Sequence, residues 1–107
     1  QNCLIYNPYD KMALNNVGVI YFNRKEYDAA LTYFMKAVKF NPNFGDPYAN
    51  IGAVYHNLGQ TENALQYYEK ALQFNPGNKM VMGNMVKLYN SIGDVERANY
   101  YAKRSDQ

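Results

Sequence analysis

The sequence predicts an all-α solenoid of stacked antiparallel helix pairs, and three observations carry that expectation. A 34-residue block recurs without a gap: Gly18, Tyr21, Ala30, Phe34, Ala37 and Pro42 return as Gly52, Tyr55, Ala64, Tyr68, Ala71 and Pro76. Each block holds two stretches with apolar residues at helical spacing, and a single helix pair of this size cannot bury its apolar face without neighbours. Small residues also recur where two helices must approach, with aromatic residues beside them, so each block brings both halves of its own packing.

In chain order, residues 1–10 read as the end of a preceding repeat. Asn7 and Pro8 stand one period before Asn41 and Pro42, and two before Asn75 and Pro76, which makes Gln1 to Tyr6 the tail of an earlier helix and the chain a piece of a longer array. Cys3 then holds the small-residue position later taken by Ala37 and Ala71, as a buried, inert thiol. Repeat 1 covers 11–44. Its first stretch, from Lys11 to Arg24, places Leu14, Val17, Gly18 and Tyr21 on one helical face, and its second, from Tyr27 to Phe40, does the same with Ala30, Leu31, Phe34, Ala37 and Val38.

Repeat 2 covers 45–78. Asp46 and Pro47 suit the N-cap and first position of its first helix, since Asp accepts from free backbone amides and Pro has no amide to leave unpaired. Leu58, Gly59 and Gln60 form the turn between its helices, and Asn75, Pro76 and Gly77 end the second, because Pro disfavours a helical residue before it. Repeat 3, 79–107, is partial or capping: Ile92, Gly93 and Asp94 make the turn, but Val86 replaces the glycine, Ala102 the large aromatic, and Ser105 and Asp106 the final apolar pair.

Composition narrows the function classes. Eleven Lys and Arg against nine Asp and Glu give a formal charge of +2 with the signs interspersed, which is no footprint for nucleic acid or an anionic membrane. The single cysteine allows no intrachain disulfide, and no Cys/His spacing suits a metal. No apolar run approaches the ~20 residues of a membrane helix, so the chain reads as soluble; its compartment stays open, with an intracellular one expected. His56 stands alone, without a nucleophile or paired carboxylate at a motif spacing, and reads as a packing histidine rather than a catalytic one. Neither enzyme activity nor a cofactor is expected.

The recurring positions Leu14, Tyr48 and Met82, then Val17–Gly18, Ile51–Gly52 and Met85–Val86, then Tyr21, Tyr55 and Tyr89, resemble the tetratricopeptide-repeat family. The resemblance covers two full repeats and a partial third. It implies a right-handed superhelix whose first helices line a concave groove and whose second helices form the outer wall, and it implies a non-catalytic scaffold or adaptor that binds a protein or peptide partner.

If the glycine and tyrosine positions set the packing face, the opposite stripe of each first helix faces the groove. That stripe holds Met12, Asn15, Asn16, Val19 and Asn23, then Asp46, Ala49, Asn50, Ala53 and Asn57, then Met80, Gly83, Asn84, Lys87 and Ser91. It is nearly uncharged. Asn16, Asn50 and Asn84 share one register, and an amide there either pairs with both the N–H and the C=O of an extended peptide or merely bonds a neighbouring helix. This stripe resembles the asparagine ladder of O-linked N-acetylglucosamine transferases; Met12 and Met80 add apolar contact. The family members that capture acidic chaperone tails use a Lys and Arg clamp with Asn. Here the matching positions are Asn15, Val19, Asn50, Met80 and Asn84, without the cations a carboxylate needs. Two alternatives stand beside peptide binding: self-association through the array ends, where Leu4, Ile5 and Tyr6 are apolar, and a substrate-recruiting region of a larger enzyme such as a glycosyltransferase. The twelve tyrosines are expected chiefly between repeats.

Overall fold

The computed structural model describes residues 11–106. The expectations for residues 1–10, Cys3 and the apolar Leu4 to Tyr6 among them, lie outside the described residues. Six helices follow one another: α1 (Lys11–Asn23), α2 (Tyr27–Phe40), α3 (Gly45–Asn57), α4 (Thr61–Phe74), α5 (Lys79–Ser91) and α6 (Val95–Ser105). They pair as α1/α2, α3/α4 and α5/α6, and the pairs stack through α2 on α3 and α4 on α5. The result is an all-α solenoid measuring 53 × 28 × 19 Å, with a radius of gyration of 14.8 Å. A compact domain of about 100 residues has roughly 13 Å. The stack is therefore elongated after three pairs.

Its core is a ribbon, as one-dimensional stacking requires. One cluster joins Ala30 and Phe34 of α2 to Ile51 and Val54 of α3, and the other runs from Tyr48, Ala64 and Tyr68 to Val81, Met85, Leu88 and Ala98. Val38, Tyr55 and Tyr67 pack against both clusters and make them continuous.

Glycine and aromatic ring are matched in the first two pairs. A Cβ added at Gly18 would lie 2.5 Å from the Phe34 ring, and one at Gly52 would lie 2.7 Å from the Tyr68 ring. Both rings are buried at 1% exposure, so neither can swing aside. In the third pair Val86 and Ala102 take these two positions, reversing which partner is small.

The tyrosines correct one expectation. Tyr21 stacks on Tyr33, Tyr55 on Tyr67 and Tyr89 on Tyr101, with ring centroids 5.5, 5.7 and 5.8 Å apart. Each stack joins the two helices of one pair, so these six rings clamp a hairpin shut, with Tyr55 and Tyr67 also reaching the neighbouring core. Offset stacking of this kind adds about 0.5–1.5 kcal/mol beyond burial.

The start of α3 corrects another. The helix begins at Gly45 with Phe44 as its cap residue, so Asp46 and Pro47 lie inside the first turn instead of at N-cap and N1. The first turn has no intrahelical acceptors for its amides, so Pro47 costs no hydrogen bond there, and its ring is buried in the core. Side-chain caps appear where they were not sought: Asn78 accepts from the Val81 amide at 3.1 Å and Asp94 from the Arg97 amide at 3.2 Å.

The three turns within pairs share one geometry. The amides of Glu26, Gln60 and Asp94 reach back to the carbonyls of Tyr21, Tyr55 and Tyr89 at 2.9, 2.9 and 2.8 Å. Such a closure needs a left-handed residue just before that amide. Gly59 and Gly93 supply it at φ 78° and 81°, whereas the first turn places Lys25 there at φ 63°. Lys25→Gly should therefore stabilise the protein by about 0.5–1 kcal/mol, the left-handed penalty less the added freedom of the unfolded chain. Urea unfolding midpoints check this; an unchanged or lower midpoint contradicts it.

Candidate functional site

The face carried by the first helices α1, α3 and α5 holds the sequence-derived candidates. Its centre is an amide pair. Asn15 of α1 is buried at 7% exposure and accepts at Oδ1 from Asn50 Nδ2 of α3 at 2.8 Å. This bond uses one of the four amide N–H donors of the two side chains and leaves the Asn50 carbonyl oxygen for another partner. The pair borders a cavity of about 260 Å³ lined by Asn15, by Asp46, Ala49 and Asn50 of α3, and by Asn78 and Met80 at the start of α5. Three successive first helices thus converge on one hollow.

The register of Asn16, Asn50 and Asn84 is chemically uneven. Asn16 is exposed, and its side chain makes no hydrogen bond among the described residues. Asn84 Nδ2 donates to Tyr68 Oη of α4 at 3.4 Å, and that oxygen lies 3.5 Å from His56 Nδ1, with the His56 and Tyr68 rings edge to face. The difference follows from the neighbours. Asn50 has Phe34 where Asn84 has Tyr68, so no hydroxyl is offered; Asn84 has Ala49 where Asn50 has Asn15, so no amide is offered.

The other candidates divide by burial. Met12 and Met80 are exposed at 50% and 67%, and Asn23 and Lys87 are exposed as well. Val19 is half-buried against the cluster around Phe34, so its role is packing at least as much as lining. Asn57 donates to the carbonyl of Ala53 within its own helix. Asn78, which sequence reasoning left in the connection after Pro76, lines the cavity; its signal was an Asn three residues before Val81, the spacing of an N-cap.

Burial dominates the electrostatics. It pushes the Tyr68 phenol up from its ordinary 10.0 to about 12, opposed in part by the hydrogen bond from Asn84. Tyr89 is pushed up as well, by burial first and then by its 3.0 Å hydrogen bond to the Glu69 carboxylate. Burial also raises Tyr67 and Tyr101. A phenol whose folded value is raised stabilises the fold fully below pH 10, and that contribution is lost as pH climbs through the folded value. Stability should therefore fall between pH 10 and about 12. Tyr68→Phe should flatten part of that fall in thermal melts; an alkaline profile identical to that of the unmodified protein contradicts the assignment.

Among the described residues, no three His, Cys, Asp or Glu side chains gather as metal ligands. No helix there is long and apolar enough to cross a membrane.

Two crystal structures of MamA have the same fold, with TM-scores of 0.87 and 0.84 and 25% identity in both. Each alignment covers 92% of this chain but only 58% and 54% of the MamA chains, so the chain spans little more than half the length of these relatives. None of the curated proteins is a significant match. The sequence profile of the tetratricopeptide repeat matches residues 12–44 and 46–78, more than half of the chain and two successive helix pairs of the solenoid. The chain belongs to the tetratricopeptide-repeat family.

Proposed function

We propose that this chain is a non-catalytic scaffold or adaptor module whose first-helix face holds an extended segment of a partner protein. The repeats mark a protein-interaction module. What supports this finer reading is the hollow where Asn15 and Asn50 sit hydrogen-bonded to each other, with donors and an acceptor left over, beside the apolar Ala49 and Met80. An extended backbone needs one donor and one acceptor per residue it presents, and the amide pair offers both without reading a side chain. Asn16, next to Asn15 on α1, and Asn84, on α5, flank the pair, and Met12 and Met80 add adaptable apolar contact.

If each amide contributes about 0.5–1.5 kcal/mol, replacing both Asn15 and Asn50 by Ala should weaken binding on the order of tenfold. The probe is a displayed library of unstructured peptides, with selected sequences then titrated against both proteins. Unchanged affinity together with intact helicity contradicts the backbone grip.

The second helices give a reason to set self-association lower. Asn99 of α6 and Asp106, which caps that helix, stand where α4 carries Leu65 and Leu72, so this face is polar where a following pair would need apolar surface. A head-to-tail stack of copies would bury these two polar groups, at a cost unless each is paired.

A further inference from the structure

Resting on the backbone-binding reading above, we infer that the partner segment carries a basic residue flanked, three positions to either side, by large apolar residues. Met12 of α1, Asp46 of α3 and Met80 of α5 occupy equivalent positions, 34 residues apart, and all three are exposed. Side chains at one register on neighbouring parallel helices form a row across the face. This row reads apolar, acidic, apolar.

The spacing of the row sets the spacing of its ligand. α1 touches α3 directly, and α3 and the start of α5 line one cavity with it; at the spacing of neighbouring helices, about 8–10 Å, and an advance of about 3.3 Å per residue for an extended chain, one repeat corresponds to about three residues. A segment crossing the three first helices therefore meets Met12, Asp46 and Met80 with residues at about positions i−3, i and i+3. Asp46 is the one charged side chain lining the cavity, and it makes no ion pair among the described residues. Asp46 lines the same cavity as Asn50 and Asn15, the amides that would hold the backbone there. A Lys or Arg at position i would complete the pair, while an acidic residue there would be repelled.

Asp46 also sits in the first turn of α3, where a carboxylate complements the helix dipole. Asp28, Glu62 and Glu96 do the same for α2, α4 and α6, but those helices lie outside the row. The dipole accounts for an acid in that turn; it does not account for an acid set between two exposed methionines beside a hollow.

The test uses synthetic peptides of the form Leu-x-x-Lys-x-x-Leu, with uncharged polar residues at x, titrated by fluorescence anisotropy. Matched peptides carry Gln or Glu at the centre, or Ala in place of both leucines. The Lys-centred peptide should bind the unmodified protein about threefold to fivefold tighter than the Gln-centred one, with the Glu-centred one weakest. Loss of both leucines should cost about tenfold or more. Asp46→Asn should abolish the Lys preference and Asp46→Lys should transfer it to Glu, with helicity and melting temperature monitored in both variants. Equal binding of the Lys and Glu peptides, or a Lys preference that survives Asp46→Asn, overturns this inference. In that event the backbone grip still stands if the Asn15 and Asn50 alanine variant weakens every peptide. If no peptide binds, or if that variant changes nothing, both readings fall.

Discussion

Replacing Tyr68 by Ala should destabilise the protein by about 3–5 kcal/mol, the range for deleting a buried aromatic side chain, and lower the melting temperature on the order of 15 °C. Tyr68 is buried at 1% exposure and is the largest fully buried side chain among the described residues. It fills the space opposite Gly52, belongs to the cluster that joins the second and third pairs, and anchors Asn84 through its hydroxyl. Its loss would leave a ring-sized cavity at the middle of the ribbon and an Asn84 amide without its partner. Because total stability of such a domain is on the order of 5–15 kcal/mol, this single change takes a large share. Urea unfolding gives the number. Tyr68→Phe separates the two contributions: it keeps the ring, reproduces the Phe34 of the preceding pair and should cost only about 1 kcal/mol. A loss below about 1 kcal/mol for Tyr68→Ala would mean that the pairs do not stack through this ring.

The second large effect concerns the other half of the same contact. Gly52→Val should cost about 3 kcal/mol, at the upper end of overpacking, because even its Cβ would lie 2.7 Å from the Tyr68 ring and the two methyl groups extend further. Better helix propensity than glycine offsets only a few tenths of this. The third pair suggests the remedy, since Val86 and Ala102 stand there at the positions of Gly52 and Tyr68. Combining Gly52→Val with Tyr68→Ala should therefore cost clearly less than the sum of the two, with a coupling of about 2 kcal/mol or more for residues in direct contact. Additive losses would contradict the small-against-large account of how these helices approach.

This complementarity explains why the fold was legible from the chain. A glycine, an aromatic and an alanine recurring at one period specify a close approach, a filler and a second close approach, and the third block's exchange of Val for Gly with Ala for the aromatic preserves the sense of the pattern. Features that depend on a partner in another helix were less legible. The Tyr21–Tyr33, Tyr55–Tyr67 and Tyr89–Tyr101 stacks bridge antiparallel helices, a relation that helical periodicity within one segment does not reveal. The start of α3 was misplaced because Asp-Pro is a familiar opening, whereas the helix begins two residues earlier, at Gly45, with the Pro47 ring buried in its first turn.

The candidate site shows the same limit. Reading by columns aligns Asn16, Asn50 and Asn84. The bond that ties two first helices instead joins Asn50 to Asn15, residues 35 apart and so one step off the period. Neighbour identity decided the rest: Tyr68 offers Asn84 a hydroxyl that Phe34 denies Asn50. Residue types and register suggested amides along the first helices, whereas which amides meet depends on rotamers and on the opposite helix.

The methionines give the most direct test of the claim that partners bind along the first helices. With methyl-labelled Met and the Leu-x-x-Lys-x-x-Leu peptide as titrant, nuclear magnetic resonance can follow five signals in one protein. Met12 and Met80 lie on the first-helix face, Met82 and Met85 are buried, and Met35 lies half-buried on α2. The account predicts that the Met12 and Met80 methyl resonances shift in a saturable way while Met35 stays in place. Saturable shifts at Met35, with Met12 and Met80 unmoved, would put the binding surface on the second helices and contradict it.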